Sequence, residues 1–124
     1  MKIYVSHSKE LDYLDGLYRP LRESQLNTEH EIILPHEVHK EAIKVVSRDI
    51  LRTCDLCIAE VSYPATGLGI ELGWADAFGC PIVCIYKSGS KVSGSLKVIT
   101  EDFIEYAGRE DMIEKIGIYL STEK

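Results

Sequence analysis

Two short runs constrain the fold of this chain more than anything else in it: DLCIAEV at residues 55–61 and PIVCIY at 81–86. Each is apolar through its middle, as expected for a strand covered on both faces rather than one with a face in water. The stretch between them, SYPATGLGIELGWADAFGC, opens with turn-forming residues. It then carries Leu68, Leu72, Ala75 and Phe78 at the spacing of one helical face. Strand, helix and strand in that order imply a right-handed crossover and parallel pairing.

The rest of the chain extends the pattern. KIYVS (2–6), EIILP (31–35) and, more weakly, ITEDFIEY (99–106) read as strands. From Glu10, Leu11, Leu14, Tyr18 and Leu21 keep helical spacing across Gly16 and Pro20. Pro20 either interrupts that helix or opens a second one in its first turn. Residues 37–54 carry Val38, Ala42, Val45 or Val46, Asp49 or Ile50, and Thr53 in a helical pattern, and 111–120 turn Met112, Ile113, Ile116 and Leu120 inward. The sum is one α/β domain over residues 1–124, a flavodoxin- or Rossmann-like three-layer sandwich around a five-stranded parallel sheet.

Composition narrows the partners. A net charge of −6 with no run of Lys or Arg argues against a nucleic-acid polymer or an anionic membrane, both of which need a basic footprint. No segment approaches the roughly 18 apolar residues of a membrane span, and MKIYVSHS lacks the features of a signal peptide. A cytoplasmic location is the default expectation. Cys54, Cys57, Cys80 and Cys84 have loosely zinc-like spacing, but Cys57 and Cys84 fall within the two core strands. They read as buried thiols, and no metal is expected.

In such sheets ligands bind beyond the carboxyl ends of the strands, where the strand order reverses. Ser6, His7, Ser8, His36, Glu37 and residues 60–69 and 88–95 fall at that rim. Asp55, at the start of its strand, falls at the opposite end. Glu71 is the odd residue, because it shares the apolar stripe with Leu68 and Ala75. It either favours the positive end of the helix dipole, worth about 0.3–1 kcal/mol, or faces a ligand. A capping box is absent, since position 68 is leucine. Gly67 and Gly69 allow close backbone approach, and the first helical amides offer donors to anionic oxygens. A glycine pair after the third strand is not the dinucleotide fingerprint. A receiver-type phosphorylation domain is disfavoured by Glu60-Val61-Ser62 where its acceptor aspartate belongs.

AEVSYPATGLGIELGWADAFGCPIVCIY (59–86) resembles the signature of the nucleoside 2-deoxyribosyltransferase superfamily, including its 2′-deoxynucleoside 5′-monophosphate N-glycosidase branch. The match is most specific over residues 55–96, and the Ser6-His7-Ser8 loop and Pro35-His36-Glu37 extend it. The resemblance implies cleavage or transfer at an N-glycosidic bond, without a cofactor. Glu71 would attack the anomeric carbon to give a covalent deoxyribosyl ester, the retaining route. It implies that Tyr4, Ser6, His7 and Ser8 contact base and sugar and that His36 lines the pocket. Ser95 would reach the ligand's phosphate from a neighbouring subunit, so that a homodimer completes the site. Thr66, Gly67 and Gly69 are further candidates at the helix opening. Among the basic residues of the rim (Lys9, Arg19, Arg22, Lys87, Lys91), Arg19 and Arg22 come first for phosphate, and Tyr63 or Trp74 could stack on a base.

Two positions depart from the family pattern. Ser47 stands where the family often has an aspartate, with Asp49 two residues on, and Ala65 stands where the monophosphate branch has serine. Ser47 favours the alternative reading, a non-catalytic nucleotide-binding or signalling module of the same fold.

Overall fold

The computed structural model describes residues 1–37 and 40–122, with the backbone alone for 40–46. All five expected strands form: β1 (Lys2–His7), β2 (Glu31–Ile33), β3 (Leu56–Glu60), β4 (Ile82–Lys87) and β5 (Phe103–Tyr106). They pair in parallel in the order β2-β1-β3-β4-β5. The chain steps outward from β1 to β2 and then returns past β1 to lay down β3, β4 and β5. The order therefore reverses beside β1, where a crevice opens between the strand-end loops.

Helices cover both faces. Leu21 of α1 (Arg19–Arg22) and Met112, Ile116 and Leu120 of α5 (Arg109–Thr122) pack on Ile3, Val5, Ile58, Val83 and Ile85. On the other face, Leu51 of α3 (Lys40–Thr53) and Leu68, Leu72 and Ala75 of α4 (Thr66–Ala77) cover Tyr4, Cys57, Ala59, Ile82 and Cys84. The single turn α2 (Leu26–Glu29) precedes β2. All of β3 and the first four residues of β4 are buried, as their sequence requires. No helix among the described residues is long and apolar enough to cross a membrane.

The structure bears out some of the finer sequence expectations, among them Pro20 opening a second helix and Asp55 at the far end of the sheet, and corrects others. Before Pro20 the chain winds as a π-helical turn, Leu14–Tyr18, and the proline then sits in the first turn of α1. The wider i→i+5 winding shifts the inward position by about one residue. Leu17 and Tyr18 are buried, whereas Leu14 is 58% exposed. On α3 Ser47 and Leu51 face inward and Ile50 packs partly buried beside them, while Asp49 and Thr53 face solvent; Cys54, just past the helix, is buried. Val38 lies outside the described residues, as do the side chains of Ala42, Val45 and Val46. Only the second half of ITEDFIEY is strand. Thr100 donates from Oγ1 to the carbonyl of Ile82 at 2.6 Å and accepts from the amide of Asp102 at 3.0 Å, which makes residues 100–102 a turn. Asp55 accepts from the amide of Lys2 at 2.8 Å, at the end of the sheet remote from the crevice.

The carboxyl end of β3 is tied down by Glu60, which is 1% exposed. Its carboxylate accepts from the amide and hydroxyl of Ser62 at 2.8 and 2.7 Å and from the hydroxyl of Tyr106 at the end of β5. Ser62 Oγ accepts in turn from the amide of Lys87 at 2.9 Å, so β3, β4 and β5 share one knot. Tyr106→Phe removes one donor from a buried carboxylate. We expect a loss of about 2 kcal/mol of stability, seen as a lower urea midpoint with an unchanged slope.

Candidate active site

Alternation along β1 sends Tyr4 and Ser6 to the face covered by α4. Glu71, one turn into α4, leans over both. Tyr4 donates from its hydroxyl to Glu71 Oε2 at 2.6 Å, and Ser6 donates from Oγ to Oε1 at 2.5 Å. Each carboxylate oxygen thus has one neutral donor, and both donors belong to residues with no exposed surface. The carboxyl group forms part of the lining of a cleft of about 450 Å³, together with Ser8, Lys9, His36, Ala65 and Gly67. A Cβ built on Gly67 would meet nothing within 4 Å, so the backbone there is open to a ligand.

Burial pushes the Glu71 carboxyl above its ordinary 4.5, and the hydrogen bonds from Ser6 and Tyr4 pull it back part of the way. Burial, then the charge of Glu71, pushes the Tyr4 phenol well up, so it remains a donor throughout the physiological range. His7 is also buried, and loss of hydration lowers it to about 4. The site therefore holds a half-buried carboxylate, two neutral hydroxyl donors and an uncharged imidazole.

The rim residues singled out in the sequence divide into three groups. Glu71, His7, Ser8, His36 and Gly67 line one cleft, with Tyr4 and Ser6 immediately beneath its carboxylate. Tyr4 is fully buried, so it reaches Glu71 rather than an incoming base. Arg19 and Tyr63 line a second cavity of about 580 Å³ with Lys87 and Arg109. Arg19 is there paired with Asp15 at 2.9 Å. Thr66, Gly69 and Ser95 are exposed and outside the linings of both. Arg22 is bound at two points by Glu37, at 3.0 and 2.9 Å. Asp49, 67% exposed, lies 3.8 Å from Arg52 and points away from the buried Ser47. Sequence reasoning missed Tyr18, which closes a hydrogen-bonded link between His7 and His36, and the Glu60 knot. Helical spacing did mark Tyr18 as inward, but not its polar partners.

No family model matches the chain. Over 49 residues it is 43% identical to the 5-hydroxymethyl-dUMP N-hydrolase of Mus musculus, a match covering 38% of this chain and 28% of that protein. Over 84 residues it is 33% identical to a protein of Thermofilum pendens named as a 2′-deoxynucleoside 5′-phosphate N-hydrolase, covering 62% of this chain and 59% of that one. The chain thus matches less than two thirds of the length of these relatives. Among solved structures, the Clostridium botulinum CMP N-glycosidase superposes with a TM-score of 0.72 at 20% identity, over 96% of this chain and 99% of that one. At that identity the likeness is one of fold. Over part of its length the chain is thus similar in sequence to proteins named as nucleotide N-hydrolases, and over nearly all of it the chain shares the fold of a nucleotide N-glycosidase.

Proposed function

We propose that this protein breaks the N-glycosidic bond of 2′-deoxynucleosides or their 5′-monophosphates, with Glu71 as the nucleophile. The observation that carries the reading is the carboxylate of Glu71 facing the cleft while Tyr4 and Ser6 hold its two oxygens from below. A free lone pair on either oxygen attacks the anomeric carbon. The bond from that carbon to the base nitrogen breaks, its electron pair leaves with the base, and the base takes up a proton. The negative charge of Glu71 stabilises the oxocarbenium-like transition state and is consumed in the ester. Water, or a second base, then attacks the same carbon and gives up a proton to solvent, the bond from that carbon to the Glu71 oxygen breaks with its electron pair, and the carboxylate returns to Tyr4 and Ser6. The relatives named as N-hydrolases support the bond chosen and favour the monophosphates.

The exposed Ser95 lies outside the cleft of its own chain, which fits delivery to the cleft of a second copy in a homodimer. One observation favours the alternative, a binding or signalling module without turnover. The inward position on α3 is Ser47, and Asp49 faces solvent, so α3 offers the cleft no second carboxylate at this point.

Base release measured by chromatography from deoxynucleosides, their 5′-monophosphates and the ribo-counterparts separates the two readings. Turnover of a deoxy substrate that Glu71→Ala abolishes, with an adduct of sugar mass on the wild-type enzyme, supports the nucleophile. Binding without release by the wild type makes the module the better description. Because Glu71 is raised, the acid limb of kcat/KM should fall above 4.5. Tyr4→Phe removes a donor that favours the carboxylate, so we expect that limb, and the carboxyl carbon resonance of Glu71, to move to still higher pH. A carboxyl with a raised value in the fold adds stability below its ordinary 4.5 that is lost as pH climbs through the folded value. Thermal melts of the wild type around that window check the sign.

A further inference from the structure

His7 ends β1 inside a group of rings, stacked on Tyr13 with centroids 4.6 Å apart and edge-on to Tyr18 and His36 at 5.2 and 5.3 Å. Both of its ring nitrogens are engaged. Nδ1 lies 2.9 Å from the carbonyl oxygen of Ser8, and Nε2 lies 2.7 Å from the hydroxyl of Tyr18. A carbonyl only accepts, so Nδ1 carries the hydrogen. Burial lowers His7 to about 4, so at neutral pH the ring is uncharged and Nε2 is an acceptor. Tyr18 must then donate to His7. Its oxygen is left to accept the backbone N–H of His36 at 3.0 Å. Every direction in the relay from His36 through Tyr18 and His7 to Ser8 is fixed by its neighbours.

The place it reaches is one that the sheet does not hold. β2 pairs with β1 only as far as Tyr4 with Ile33, three residues short of His36. His36 nevertheless lines the Glu71 cleft, from the opposite side of β1 to Ala65 and Gly67. Arg22 holds the adjacent Glu37 at the surface, with 32% of its side chain exposed, whereas the Tyr18 hydroxyl bonds the His36 main chain from the buried side.

We infer that His7 and Tyr18 act as one positioning unit that fixes the main chain of His36, and with it one wall of the Glu71 cleft. The wall belongs to substrate binding rather than to the bond-breaking step. Only the turnover readout below rests on the function proposed above.

The test joins two measurements. Long-range proton–nitrogen NMR spectra of the histidines in the free protein should give His7 the pattern of a neutral ring with Nδ1 protonated. A ring protonated on Nε2, or on both nitrogens at neutral pH, would overturn the inference. In base release from a 2′-deoxynucleoside 5′-monophosphate, Tyr18→Phe and His7→Phe should each raise KM by about tenfold with kcat within about twofold. The double variant should cost little more than either single one, because a relay is lost once. Additive costs, a fall in kcat at constant KM, or no change would each overturn it. If the wild type releases no base, the catalytic reading fails. The inference is then decided by the NMR pattern and by the same double-variant comparison on the Kd of that monophosphate. Should Tyr18→Phe not fold, hydrogen exchange of the His36 amide in His7→Phe, which keeps a ring against Tyr13, decides instead: faster exchange than in the wild type supports the inference, and unchanged exchange overturns it.

Discussion

A carboxylate reached by two neutral hydroxyls, across the point where the strand order reverses, is the interaction on which the site depends. Burying a charged carboxyl is costly unless it is well paired. Tyr4 and Ser6 offset part of that cost without cancelling the charge, which is why Glu71 stays above its ordinary range. A salt bridge would have stabilised the carboxylate more and cancelled its charge. Two hydroxyls hold one oxygen each, and Glu71 still lines the cleft. The arrangement requires β1 to be flanked on both sides, which the sheet order supplies, and α4 to reach over it, as the bonds from Tyr4 and Ser6 to Glu71 show.

One six-residue strand serves two faces. Tyr4 and Ser6 point to α4 and hold Glu71, while His7 turns into the ring cluster that includes Tyr18 at the end of the π-helical turn. The wide turn before Pro20 is part of this, because it brings Leu17 into the core and Tyr18 within reach of His7. An irregular segment in the sequence thus becomes a point of contact between the β1 end and the β2 end.

What could be read in advance follows from the range of each interaction. The apolar run of β3, the Leu68-Leu72-Ala75 stripe and the inward setting of Glu71 depend on local periodicity, and all three appear as the sequence indicates. Leu14 did not, because a change in helical winding moves a side chain to another face without altering the spacing of its neighbours, and of the pair Asp49 or Ile50 it is Ile50 that packs against the core. Arg19 and Tyr63 are at the rim but not in the Glu71 cleft. Rim residues from α1 and from the end of β3 can face either crevice, and the choice is made by packing between distant segments. The Tyr4–Glu71 bond spans 67 residues, so β1 alternation gives its face but not its partner.

The Glu60 knot has a consequence for how such a protein can change. Ser62 is anchored to Glu60 and to the amide of Lys87, and Ala65 is anchored where the amide of Gly69 bonds its carbonyl at 3.1 Å. Only Tyr63 and Pro64 lie between these fixed ends. Substitutions in that dipeptide reshape the rim between the two cavities while the carboxylate on α4 keeps its distance from β1. The shape of the rim and the setting of the buried carboxylate are therefore separable, and a lineage can drift in the one without first rebuilding the other.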